Sequence, residues 1–292
     1  ILPASHPYIY DSMETLANVE IQRKNFDHAR QLLMQVLEAR KASRGPRALS
    51  AVYTNLGVLE ASRGHLLDAL EWLQAAYDVS RANGKQNLHA LFNIAGLHLN
   101  LGRARLAAKT FEECFEVYER RHKQSRDVAD SLAFAGISWI HAGEIEKGRP
   151  LLVRGLEMGR TQGSPTHSVN LTYAAQLALR DRDRPRAKAL LEEATKPSIT
   201  NPALHGLVTA ELARDEAGCA TARPLLAKAL ERAIADSERW VQTMATIDLA
   251  ACDVEAGAEA RPRLEAELAW LVKVGADDVI RTHVQAVLAK AK

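Results

Sequence analysis

The chain has 292 residues, 47% hydrophobic and 25% charged, and its formal net charge of +2 sets up no demand for nucleic acid or an anionic membrane as partner. Aromatic residues are only 5% while alanine supplies 49 positions, which favours closely packed helices over a β-rich core. The three cysteines, Cys114, Cys219 and Cys252, are odd in number and far apart, so no disulfide framework and no CxxC metal pair is expected, and a reducing, cytoplasmic compartment follows.

The first expected helix pair covers 8–42 and carries the small residue Ala17 inside an apolar helical pattern. The second, 48–82, contains the stretch TNLGVLEASRGHLLDAL, with Gly57 where no turn is signalled. Glycine costs a helix interior about 1 kcal/mol relative to alanine, so a second backbone is expected to approach closely there. Further pairs follow over 86–123, 126–161, 166–196, 201–235 and 237–274, with a capping helix over 276–291. Their small anchors are Ala17, Gly57, Ala95, Gly136, Ala175, Ala210 and Ala250, at intervals of 40, 38, 41, 39, 35 and 40 residues. Twelve positions past each anchor stand Ala29, Ala69, Ala107, Gly148, Ala187, Ala222 and Pro262, and the proline predicts a late second helix in the last pair. Gly64, Gly102, Gly143 and Gly257 sit seven past their anchors, where a left-handed residue ends the first helix. Joints such as SRGPR, NGK, TQGSP and PSITNP have loop composition. The tail places Val279, Ile280, Val284, Val287 and Leu288 on one apolar side, as an end cap requires. The chain opens Ile-Leu-Pro without an initiator Met and without a basic-then-apolar leader, so it reads as a piece of a longer protein.

The leucine-then-small pairs Leu16-Ala17, Leu56-Gly57, Ile94-Ala95 and Leu249-Ala250, with the later Ala29-x3-Leu33, Ala69-x3-Leu73, Ala107-x3-Phe111, Ala187-x3-Leu191 and Ala222-x3-Leu226, resemble the tetratricopeptide repeat family. The pairs weaken to Ala135-Gly136, Ala174-Ala175 and Thr209-Ala210. The long period, and His6-Pro7 with Met13, Leu16 and Ala17, resemble kinesin light chains and related repeats of bacterial multidomain signalling proteins. The resemblance implies an all-α solenoid, a right-handed superhelix of about seven helix pairs plus a C-terminal capping helix, formed as a single domain over 1–292. Its concave groove, lined by the first helices, would hold an extended or helical peptide.

Family geometry places in that groove the side chains just before the anchor pair, one after it, and four to five after it. Asn55 and Asn93 then occupy equivalent places, with Asn18 on the same surface, and asparagine offers both a donor and an acceptor to a peptide backbone. The alternative, that they bond neighbouring helices or water, stays open. A clamp for a terminal carboxylate needs cations at positions occupied here by Glu14, His89 and Asn93, of which only His89 could be charged, so that clamp is not expected. Phe92, Phe134, Ile137, Ile140 and Tyr173 would make the middle apolar and suit a hydrophobic or amphipathic ligand, with inter-helix packing as the alternative for Phe134. Arg180 and Arg214 would add charge at the far end.

No GxGxxG, GxxxxGK[ST], HExxH or GxSxG is present, and the ten histidines show no ligand spacing, so neither catalysis, cofactor nor metal is expected. Cys114 falls at a packing position and reads as a buried structural thiol. The expected partner is a protein or peptide, not nucleic acid or membrane. Two functions fit: a non-catalytic interaction scaffold, or the sensor region of a bacterial signalling protein, either a serine/threonine kinase or a peptide-sensing regulator.

Overall fold

Small residues recurring every forty or so positions let one helix lie directly on the next, and that requirement organises the chain. The computed structural model describes residues 7–43, 45–121, 125–164, 166–196 and 200–291; His6, Arg44, Pro165 and residues 197–199, which figure in the expected motif and joints, lie outside them. The described residues form helices and turns without strands. Seven pairs follow one another: α1 (Pro7–Gln22) with α2 (Phe26–Ser43), α3 (Pro46–Ser62) with α4 (Leu66–Ala82), α5 (Leu88–Asn100) with α6 (Ala104–Arg121), and α7 (Arg126–His141) with α8 (Ile145–Gln162). Then come α9 (His167–Arg180) with α10 (Arg184–Ala194), α11 (Pro202–Ala217) with α12 (Cys219–Ala235), α13 (Arg239–Glu255) with α14 (Arg261–Lys273), and a last helix, α15 (Asp278–Leu288).

All seven anchors are buried, as are Ala29, Ala69, Ala107, Gly148, Ala187 and Ala222. Each turn within a pair needs one left-handed residue to reverse the chain. Gly64, Gly102, Gly143 and Gly257 supply it with φ of 82°, 71°, 85° and 71°. Where the sequence offers no glycine at that offset, Lys24 and Arg182 adopt φ of 61° and 60° instead. In the seventh pair Pro262 is exposed at the start of α14, and Ala260 and Leu264 supply the buried contacts.

The described chain divides into two compact units, Ile1–Leu97 and His98–Lys292, with the boundary inside α5. In the first, Ala17, Leu33, Val36, Leu37, Val52, Leu56 and Leu59 form one core. A Cβ on Gly57 would lie 2.5 Å from Leu73 Cγ and 3.2 Å from the Ala69 carbonyl oxygen, so α3 and α4 meet at the expected glycine. Beneath the same turn, Glu60 is 2% exposed and accepts from Arg30 at 2.7 Å, Arg63 at 3.3 Å and the His65 ring at 2.9 Å.

The second unit contains a helix pair in direct backbone contact. A Cβ on Gly136 would sit 2.4 Å from the Leu152 nitrogen, and one on Gly155 2.6 Å from the Ala133 nitrogen, so backbone meets backbone between α7 and α8. Ser125 caps α7 and Asn201 caps α11, their side chains accepting from Val128 N at 3.4 Å and Leu204 N at 2.8 Å.

Two findings go beyond the sequence reading. Cys219 and Cys252 are joined by a disulfide, contrary to the expectation that none could form. They are 33 residues apart, but α12 begins beside the end of the antiparallel α13, which brings their Cα atoms to 5.1 Å. The argument for a reducing compartment rested on unpaired cysteines and loses that footing. Cys114 is buried as a free thiol, and burial pushes it up to about 12. The second finding concerns α15, which does more than cover an end. The Asp277 amide donates to the Gly102 carbonyl at 2.8 Å, and its carboxylate accepts from the Arg105 amide at 2.8 Å. Arg103 Nε donates to the Val274 carbonyl at 2.7 Å. The last helices of this unit are thereby fastened to its first turn.

Candidate functional site

Each unit carries a recess bordered by residues foreseen for the groove. In the first unit, a hollow of about 760 Å³ is lined by Ser50, Thr54, Asn55, Asn83, Lys85 and His89, among others. Asn87 organises its floor: its amide donates to Ser50 Oγ at 2.8 Å and Thr54 Oγ1 at 3.0 Å, while its side-chain oxygen caps α5 through the Ala90 amide. Asn55 faces this hollow, yet its amide donates to Glu14 Oε2 at 3.1 Å, bonding a neighbouring helix. Asn18 is exposed on α1, and Phe92 and Asn93 are half-buried on α5; none of the three borders the hollow.

Side chains also stand close enough for an ion in this unit. Donor atoms of Glu60, His65 and Asp68 lie within 4.8 Å of one another, a juxtaposition that histidine spacing did not suggest. Two guanidinium groups already hold the Glu60 carboxylate, so the cluster is satisfied as an ion-pair network.

In the second unit, a cavity of about 420 Å³ opens among α7, α9, α11, α13 and α15. It brings together Ile137, Ile140, Tyr173 and Arg180 of the residues expected in the groove. Phe134 is absent from its lining and stacks on Phe111 with ring centroids 5.4 Å apart, which is the packing alternative. Period three-to-four spacing makes the walls: Tyr173, Gln176, Leu177 and Arg180 follow one face of α9, and Trp240, Met244 and Asp248 one face of α13. From α15 come Val279, Ile280 and His283.

The polar groups in this cavity are perturbed in ways that follow from burial. His141 lies edge-on to Tyr173 and Trp240, with centroids 5.4 and 4.8 Å away, and burial with help from the Arg180 charge lowers it to about 3. The imidazole is therefore neutral at physiological pH, and its buried Nε2 has no hydrogen-bond partner among the described residues. Burial likewise raises the Tyr173 phenol. Glu211 and Asp248 hydrogen-bond to one another; burial, then the neighbouring carboxylate, pushes Glu211 well above the carboxylate range, and burial raises Asp248. A hydrogen bond between two carboxyl groups requires one proton, which the pair shares. Gln176 donates to Glu211 at 2.7 Å, and Arg214 reaches Asp248 at 3.4 Å and Glu255 at 3.2 Å.

Four of these polar residues stand at the offsets used to choose the groove positions: Asp248 two before its anchor, Gln176 and Glu211 one after, His141 five after. The offsets would have found them had acids and histidine been sought with asparagine and aromatics. Trp240, Met244 and the α15 residues lie outside that rule.

Tetratricopeptide repeat family models match residues 8–82 and 88–120. The chain thus carries repeats of the tetratricopeptide superfamily over residues 8–82 and 88–120. Beyond residue 120 it shares the superfamily's fold with solved structures. NprR in complex with its cognate peptide NprX aligns over 94% of this chain and 81% of its own, with TM-score 0.69 at 15% identity. A Rap protein complexed with competence and sporulation factor aligns over 85% and 75%, with TM-score 0.59 at 11% identity. Kinesin light chain-like repeats from Podosopora anserina align over 72% and 98%, with TM-score 0.54 at 17% identity. No curated protein matches this chain in sequence.

Proposed function

We propose that this tetratricopeptide repeat chain is a non-catalytic scaffold whose second unit receives a peptide or partner segment in the cavity between Ile140, Tyr173, Trp240 and Met244. The observation that carries the reading is the cavity itself: apolar and aromatic walls with a few convergent polar groups are how binding sites are built. Its volume of about 420 Å³ suits one or two side chains of a larger ligand, with the rest lying along the neighbouring first helices. That the fold is shared with NprR bound to a cognate peptide supports the same reading. A regulatory role as the sensor part of a longer signalling protein is favoured by the likeness to the quorum sensor NprR from B. thuringiensis, which extends over 99% of this chain.

The experiment is binding of a random-sequence peptide array to the full chain and to Met244→Trp, which fills the cavity with an indole. Bound peptides are expected to lose most of their affinity for the variant. Peptides that bind both proteins equally would move the site elsewhere.

A further inference from the structure

Apolar walls do not account for what lies at the base of the second unit's cavity. Glu211 and Asp248 lie together half-buried, yet among the described residues the guanidinium within ion-pair distance, that of Arg214, is shared with Glu255. Drawing two carboxyl groups partly out of water beside a single shared cation is unfavourable, and an amide or apolar pair of similar volume would serve packing better. Gln176 satisfies one Glu211 oxygen and adds no positive charge. Independently, the buried Nε2 of neutral His141 has no partner in the same cavity. Arg180 lies on the cavity border four residues beyond Gln176, about 6 Å further along α9, and is exposed; His283 lines the α15 side and is also exposed. A cavity with an acidic base, an unused imidazole nitrogen and hydrophobic walls is complementary to a cation carried next to an apolar group.

We propose that Glu211 and Asp248 are the seat of a cationic group, either a lysine or arginine side chain or a free peptide N-terminus, that enters beside an apolar side chain. The inference rests on the partner-binding reading above and names the chemistry of that partner. When the cation arrives, the proton held between the two carboxylates leaves to the buffer, both carboxylates are ionised, and no covalent bond changes. His141 then offers its free nitrogen to the backbone or side chain next to the cation.

The test uses the same random-sequence array, each peptide synthesised with a free and with an acetylated N-terminus. Peptides bound by the full chain should be enriched in lysine or arginine next to leucine, isoleucine or phenylalanine, or should require the free terminus; the two series tell these sources apart. Against Glu211→Gln with Asp248→Asn, the selected peptides should weaken by roughly tenfold or more. Titration calorimetry in two buffers of different ionisation enthalpy should find proton release on binding to the unmodified chain and none to Glu211→Gln, a single variant that also serves should the double one fold poorly. Peptides that need Met244 unfilled but show no basic preference and ignore the double substitution would overturn the cation seat and leave partner binding intact. Peptides indifferent to Met244→Trp would overturn partner binding here and the cation seat with it.

Discussion

The hollow of the first unit is walled by amides, hydroxyls and a lysine, whereas the cavity of the second pairs aromatic and aliphatic walls with two acids. Both are assembled at the same places in the repeat: Asn55 and Asp248 each stand two residues before a buried anchor. The repeat thus specifies scaffold and lining separately. Buried alanines and glycines set how closely helices lie, and the neighbouring positions are left to carry whatever chemistry the ligand requires.

The largest expected difference between the units is in tolerance to a single methyl group. At Gly136 a Cβ meets the backbone nitrogen of Leu152, which cannot move without shifting α8, so Gly136→Ala should cost about 3 kcal/mol or more despite alanine's better helix propensity. At Gly57 the obstacle is mainly the Leu73 side chain, and Gly57→Ala should cost about 1–2 kcal/mol after repacking. Denaturant unfolding of the two variants measures both; equal losses would break the comparison.

Next in size is the pH response of the acidic pair. A carboxylate raised above its unfolded value contributes stability that is full below that value and is lost as pH rises through the folded one. Glu211→Gln removes this penalty, so the variant should match the parent below about pH 4.5 and gain on it above, by at most about 1.4 kcal/mol per pH unit. His141 and His98, lowered to about 3 and about 4 by burial, act in the opposite direction: their stability is full above about pH 6.5 and lost as pH falls towards those values. They cancel in the difference between variant and parent. Thermal melts from pH 4 to 8 would show the divergence, and a constant offset would contradict the carboxylate pairing.

The smallest effect should be the same in both units. Lys24 and Arg182 hold the left-handed turn position that glycine takes elsewhere, so Lys24→Gly and Arg182→Gly should each leave stability unchanged or raise it by up to about 1 kcal/mol. Parallel melts would check this, and a clear loss in either would mean that the side chain, not the backbone, determines that turn.

Much of the architecture was legible because it rests on local periodicity. Ala17 through Ala250 mark the helix contacts, and Gly64, Gly102, Gly143 and Gly257 the reversals, without reference to anything distant in the chain. What escaped detection depends on contacts between repeats. The Cys219–Cys252 bridge follows from antiparallel helices in successive pairs, and spacing along the sequence does not reveal it. The groove offsets led to Ile137, Ile140, Tyr173 and Arg180, and of the two alternatives open for Asn55 its amide takes the bond to a neighbouring helix, through Glu14. Glu211, Asp248 and His141 carry ordinary-looking letters on amphipathic helices, and only burial makes them unusual.

The hydrogen bond from Asp277 to Gly102 also bears on how the chain acquires its structure. Helix pairs of a repeat array form from neighbours in sequence and can assemble as they emerge during synthesis. A bond between residues 102 and 277 spans most of the chain, so loop-closure entropy delays it until nearly everything between is in place. The cavity under α15 is consequently the last part of the second unit to be completed, and α15 must have left the ribosome before that site exists.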